Sequence, residues 1–343
     1  SVIGYDPKEY YTGRSPLEAL SIGVDMAPTD VSFRCNLVTL SEEEERYEDK
    51  RILDHSSSEI STEDAAVLME TLMQEMRRGG YEFYTGTSYR HLLIHKFGSV
   101  VELTAPHDIL TKRIGEYLPQ DAVLREMMET SYRILSNHPL NLERKAKGLN
   151  PANSVWFWGA GTRPMLTSFE EKYHKKGAMI SAVDLLKGIA VGAGLDNIIV
   201  EGANGGLHTN YTGKAEAAVD ALAAQDYDFV YVHIEAPDEM GHQGSIPDKI
   251  KAIENIDQKI IGPIVGELED LCMDFRTLVL PDHPTPICVR THTGNPVPYL
   301  LYDSRKKAEG MPEYSERLGN KSPLFEKEGH RLLSRLFEMD NER

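Results

Sequence analysis

Apolar and polar positions change period several times along this chain of 343 residues. A short helix-like stretch at 16–22 precedes the apolar run at 33–40, which predicts a strand. Ala66, Leu68, Met69, Leu72, Met73 and Met76 recur at helical spacing and predict a helix over 62–78. Ser61, Thr62 and Asp64 open that helix, and Gly79-Gly80 stops it. Segments 81–84 and 91–95 predict two strands joined at Thr85-Gly86, and a long helical pattern covers 119–138. From residue 154 onward, strands at 154–158, 197–200, 229–234, 277–280 and 299–302 alternate with helices at 182–191, 214–224, 246–269 and 329–337. This alternation predicts an α/β fold with a mostly parallel sheet and helices on both faces. The block 41–120, locally α+β, predicts an inserted cap or substrate domain, which leaves 1–40 and 121–343 as the core.

Charge narrows the partners. Lys and Arg number 37 against 54 Asp and Glu, a net charge of −17. Such a surface repels nucleic acid and anionic lipid but leaves room for a small anion held by a local Arg cluster. Cys35, Cys272 and Cys288 form no metal-binding or paired spacing. They read as reduced thiols of a cytoplasmic protein. No apolar run approaches the roughly 18 residues of a membrane span.

Two predicted strands end in chemistry. The strand at 229–234 runs into Glu235-Ala236-Pro237-Asp238-Glu239-Met240-Gly241-His242. The strand at 277–280 runs into Pro281-Asp282-His283-Pro284-Thr285-Pro286, and Thr291-His292-Thr293 follows. Parallel sheets collect ligands at the carboxyl ends of their strands. Carboxylate oxygen with imidazole nitrogen suits Mn²⁺, Zn²⁺ and similar borderline cations and not Ca²⁺. Extended backbone predicts that Asp282 and His283 project in opposed directions, one to a metal and the other to a second metal or its surroundings. Taken singly, each of these residues is an ordinary loop residue; five at consecutive strand ends form a specific constellation. Gly202-Ala203-Asn204-Gly205-Gly206 lacks the Lys-Ser/Thr of a phosphate loop and reads as a tight turn. Trp156 and Trp158 read as core residues, and the run Glu42–Glu45 as a solvated face.

The stretch HIEAPDEMGHQG, a helix containing KIKAIENID, LVLPDHPTPI and RTHTGNPVP closely resemble the archaeal-type 2,3-bisphosphoglycerate-independent phosphoglycerate mutases. These belong to the alkaline phosphatase superfamily. IGYDPKEYYTGRSPLEAL, FRCNLVT, VWFWGAGTRPMLTSFEEKY and GAMISAVDLLKGIA extend the resemblance over nearly the whole chain. It implies an alkaline-phosphatase-like core and an isomerase of glycolysis and gluconeogenesis. Phosphoryl transfer would interconvert 2-phosphoglycerate and 3-phosphoglycerate through a phosphoserine and two divalent cations, without bisphosphoglycerate. Mn²⁺ is favoured, with Mg²⁺, Zn²⁺ or Co²⁺ as alternatives. By motif, Asp238, His242 and His292 would hold one cation, and Asp282 and His283 the other. Arg14 and Arg34 sit in shared motifs and, with Arg90, Arg163 and His107, are candidates for contacting the substrate's anionic groups.

The family's Asp-Gly strand end and its serine nucleophile lie upstream of the Gly-Tyr-Asp-Pro motif, which begins here at Gly4. Both are therefore expected before residue 1. Ser1 is not assigned as the nucleophile, and the chain is expected to be poorly active or inactive unless that upstream segment exists in the protein. Two alternatives follow. One is a phosphotransferase or phosphatase of the same superfamily with another acceptor, resembling a homoserine kinase. The other is a catalytically dead chain that retains the fold.

Overall fold

A computed structural model describes residues 2–306, 310 and 313–338. The chain divides into two compact units: Tyr11–Met165, and Ser1–Tyr10 with Leu166–Arg343. The first unit is thus an insertion in the second, with boundaries well outside the expected 41–120.

In the inserted unit, helix α1 (Ser15–Ser21) precedes strand β1 (Val31–Leu40), all ten residues of which are buried. Strands β2 (Ile52–Asp54), β3 (Tyr81–Tyr84), β4 (Arg90–His95) and β5 (Ser154–Thr162) complete its sheet. β1 is central: it pairs antiparallel with β2, β4 and β5. That pairing corrects the expected domain boundary, because β1 is bonded strand to strand with β4 and cannot belong to a different layer. It also corrects the placing of β5 in the parallel sheet. A strand buried on both faces carries one continuous apolar run whichever way its neighbour points, so its pattern does not encode direction.

Helix α2 (Thr62–Glu75) starts where the Ser61 side chain accepts the Asp64 N–H and buries Ala65, Leu68, Met69 and Leu72. Asp121 caps helix α3 (Ala122–Leu135) in the same way, accepting the N–H groups of Val123 and Leu124. The predicted helix at 119–138 is therefore shorter, and helix α4 (Pro139–Ala146) follows it. Phe33, Cys35, Leu68, Leu72, Met128, Trp156 and Phe157 share one apolar core.

This core also holds a titratable group. His91 is 2% exposed; its Nδ1 accepts the Gly86 N–H at 3.1 Å, and Nε2 has no partner among the described residues. Burial pulls its pKa down from 6.5 to about 3. The unfolded chain therefore binds the extra proton, so stability is full above pH 6.5 and drains as pH falls towards 3. This one group should contribute a slope of up to about 1.4 kcal/mol per pH unit across that window. Urea unfolding at about pH 7 and about pH 5 is expected to show a smaller acid loss for His91→Gln than for wild type. Equal losses would remove His91 from the account.

The second unit contains helix α5 (Phe169–Tyr173), strand β6 (Gly177–Ile180), helix α6 (Asp184–Gly192), strand β7 (Asp196–Asn197), helix α7 (Tyr211–Ala224) and strand β8 (Phe229–Val232). Helices α8 (Ala236–Gln243), α9 (Ile246–Ile256) and α10 (Gly262–Asp270) follow. Strands β9 (Arg276–Val279) and β10 (Leu300–Asp303) and helix α11 (Leu332–Glu338) complete it. The single helix expected over 246–269 is continuous but contains a wider turn at Asp257–Ile261.

Among the described strands of this unit, β7-β6-β8 pair in parallel and β9 pairs antiparallel with β10. The described fold is therefore mixed α/β, with fewer parallel strands than expected. Phe169, Met179, Phe229, Leu333 and Leu336 form this unit's core. Among the described residues, no helix is long and apolar enough to cross a membrane.

Candidate metal centre

Helix α8 places the first two candidate ligands. Pro237 lies in its opening turn, Asp238 follows, and His242 sits in the last turn before Gly244 turns left-handed at φ 75°. A spacing of four residues puts Asp238 and His242 on one face. The carboxylate lies near the positive end of the helix and the imidazole near the negative end. The loop after β9 supplies the rest.

Donor atoms of Asp238, His242 and His292 all lie within 4.8 Å of one another. His242 Nε2 is 3.2 Å from His292 Nε2, and each is 3.3 Å from an Asp238 oxygen. His242 Nδ1 lies 3.0 Å from the Arg290 carbonyl oxygen. The N–H that it donates there leaves the Nε2 lone pair facing the cluster. Two imidazole nitrogens and a carboxylate converging in this way fit a borderline divalent cation.

Asp282 and His283 do not point apart. The chain bends at both residues, so His283 Nε2 comes 3.4 Å from Asp282 Oδ2 while Nδ1 lies 4.0 Å from Asp238 Oδ1. The His283 and His292 rings are 3.7 Å apart between centroids. His283 thus sits between the trio and Asp282.

The electrostatics match a cationic site. Burial alone would raise the Asp238 carboxyl, but the Thr285 hydroxyl and His242, His292 and His283 outweigh it and hold the group below its ordinary value. Burial, with Asp238 and Glu239 nearby, raises Glu235. Burial lowers His233 and Lys214. A cleft of about 620 Å³, lined by Gly205, His208, Glu235, Glu239 and Gln243 among others, runs beside α8.

The candidates for anion contact lie in the inserted unit. Glu18 bridges two of them, with one oxygen 2.9 Å from Arg14 Nε and the other 2.8 Å from Arg34 Nε. The second contact is an ion pair without an aligned N–H···O bond, since Arg34 Nε has no hydrogen-bond partner among the described residues. Arg34 is buried and its guanidinium lies over the Trp158 ring at 4.2 Å. Trp158 is thus only partly the core residue expected: it donates from Nε1 to Asn36 Oδ1 at 3.0 Å, and His107 packs edge-on against it at 5.2 Å. Arg90 is exposed, 5.6 Å over the Tyr89 ring. Arg163 donates to Asp25 at 3.0 Å and to the Met26 carbonyl at 2.9 Å. Trp156 is buried as expected, and its Nε1 donates to the Thr104 carbonyl.

Sequence reasoning missed several residues. Thr285 is buried against Asp238, and nothing in Pro284-Thr285-Pro286 announces it. Lys214, 1% exposed, donates to the His233 carbonyl at 3.0 Å, at the end of β8. A signal for it existed, since Lys214 shares the helical register of the buried Tyr211, Ala215, Ala218 and Ala221. His55, edge-on to Tyr89 and to His107, joins the Arg34 neighbourhood only through the fold.

Residues 1–141 match the family model described as 2,3-bisphosphoglycerate-independent phosphoglycerate mutase. A Methanosarcina barkeri protein of that name is 50% identical over 93% of this chain and 80% of its own length. A Geobacter sulfurreducens protein, named a probable enzyme of that kind, is 43% identical over 98% of this chain and 84% of its own. Among solved structures, a Pyrococcus horikoshii protein superposes with a TM-score of 0.79 at 29% identity, covering 100% of this chain and 82% of that one. The cofactor-independent phosphoglycerate mutase of Thermoplasma acidophilum gives a TM-score of 0.64 at 27% identity, covering 98% of this chain and 84% of that one.

Proposed function

The chain belongs to the 2,3-bisphosphoglycerate-independent phosphoglycerate mutase family, and from that premise we propose that it interconverts 2-phosphoglycerate and 3-phosphoglycerate in the cytoplasm. The observation that carries the chemistry is the convergence of Asp238, His242 and His292 donor atoms within 4.8 Å. In this reading those three residues hold one divalent cation, and Asp282 with His283 hold a second, on an alkaline-phosphatase-like core. When bound, the cations supply charge neutralisation for phosphoryl transfer.

The chain's own groups do the rest. His242 is held in one tautomer by the Arg290 carbonyl, so that its free nitrogen faces Asp238. Arg34 is stiffened by Trp158 and Glu18, and a pre-oriented guanidinium suits bidentate contact with phosphate or carboxylate. One Glu18 carboxylate offsets one of the two charges of Arg14 and Arg34, which leaves a net positive charge for an anion. Arg90 and His107 join them, while Arg163 contributes only by exchanging Asp25 for substrate. Transfer runs through a phosphoserine whose serine is none of the residues assigned here.

The test follows 3-phosphoglycerate by phosphorus NMR, with Mn²⁺ and without bisphosphoglycerate. Appearance of 2-phosphoglycerate is the expected result. Release of inorganic phosphate, or a phosphoester of another hydroxyl, would replace the mutase reading with a phosphatase or phosphotransferase.

A further inference from the structure

Helix α8 carries two candidate ligands with a glycine between them, and that glycine has no room for a side chain. A methyl group at Gly241 would lie 2.6 Å from the Thr285 carbonyl oxygen, 2.9 Å from Lys249 Nζ and 3.0 Å from Thr285 Cγ2. Contacts under about 3.0 Å are closer than packed atoms tolerate, so the helix is seated directly on the Thr285–Lys249 pair. The pair is itself bonded: Lys249 Nζ donates to the Thr285 carbonyl at 2.6 Å. Thr285 is 4% exposed, and its hydroxyl donates to Asp238 Oδ1 and lies 3.3 Å from His283 Nδ1.

These contacts form one chain of constraint. Lys249, in the first turns of α9, fixes the backbone of Thr285 in the loop after β9. The Thr285 hydroxyl then fixes one oxygen of Asp238, at the start of α8. The terminal torsion of an aspartate is broad, so a carboxylate without such a bond rotates over a wide range. With Oδ1 held, Oδ2 faces His242 Nε2 at 3.3 Å. The same loop carries Asp282, His283 and His292, so the brace also registers the loop against the helix.

We infer that Lys249 and Thr285, neither of them a ligand candidate, are positioning residues that hold Asp238 ready for the cation. The inference rests on the metal reading above, and the test separates the two. Mn²⁺ binding to the full chain is titrated by electron paramagnetic resonance for wild type, Lys249→Met, Thr285→Val and Thr285→Ser. Groups that support a ligand typically contribute about 10–100-fold in metal affinity, and a loss in that range is expected for Lys249→Met and Thr285→Val. Thr285→Ser keeps the hydroxyl and should stay near wild type. Thr285→Val keeps the shape, so its metal-free melting temperature should also stay near wild type; that separates lost positioning from lost folding. Wild-type affinity in both Thr285→Val and Lys249→Met would overturn the brace while leaving the metal site standing. A wild-type protein that binds no Mn²⁺ would sink the metal reading, and the brace with it.

Discussion

Asp238→Asn should abolish the metal site. The substitution keeps the size of the side chain and removes its charge, at a residue whose oxygens lie 3.3 Å from both His242 Nε2 and His292 Nε2. Three histidines and the Thr285 hydroxyl hold this carboxyl ionised, so it is ready to accept a cation without first losing a proton. An amide offers a weaker neutral oxygen and no charge to offset the cation. The loss in Mn²⁺ affinity should exceed the roughly 10–100-fold range of supporting groups. The same titration on Glu239→Gln, one position along α8, is the control and should leave affinity unchanged. Equal affinities for wild type and Asp238→Asn would remove Asp238 from the ligand set.

The largest stability effect is expected at Phe169, which is 1% exposed in the core of the second unit. Its ring stacks on Phe229 with centroids 5.1 Å apart and meets Tyr173 at 4.9 Å and Phe337 at 6.0 Å. The surroundings have little freedom to collapse. A methyl at Gly177 would already lie 2.2 Å from Leu195 Cδ2 and 3.2 Å from the Phe169 ring. A cavity that cannot close keeps its full cost, so Phe169→Ala should lose about 3–5 kcal/mol. Urea unfolding should show a lower midpoint with an unchanged slope. A loss below about 1 kcal/mol would mean that the site relaxes around the hole. Because β6 and β8 pair beside this cluster, the same variant should loosen the strand that leads into α8.

The elements were legible where the signal was local. The periodicity of Leu68, Met69 and Leu72 with the Ser61 cap identified α2, and Thr85-Gly86 between two apolar runs identified β3 and β4. Asp238 and His242 were legible as candidates because they follow the strand expected at 229–234; the helix that sets them on one face was not expected. Pairing was not legible. β1 and β5 are both continuous apolar runs, and such a run satisfies a parallel or an antiparallel neighbour equally well. The parallel sheet was therefore expected too wide, and the inserted unit too narrow.

At the site, residue chemistry came from the sequence and convergence from the fold. The types and order of Asp238, His242, Asp282, His283 and His292 already specified a borderline-cation donor set, because donor preference belongs to the side chain. Only the tertiary structure decided that His283 bends inward, that Thr285 and Lys249 steady Asp238, and that Trp158, at the edge of the core, lies under Arg34. Each of these depends on where a loop or strand returns over tens of residues. A hydrophobic period encodes which side of a segment is buried, and carries no information about which distant segment buries it.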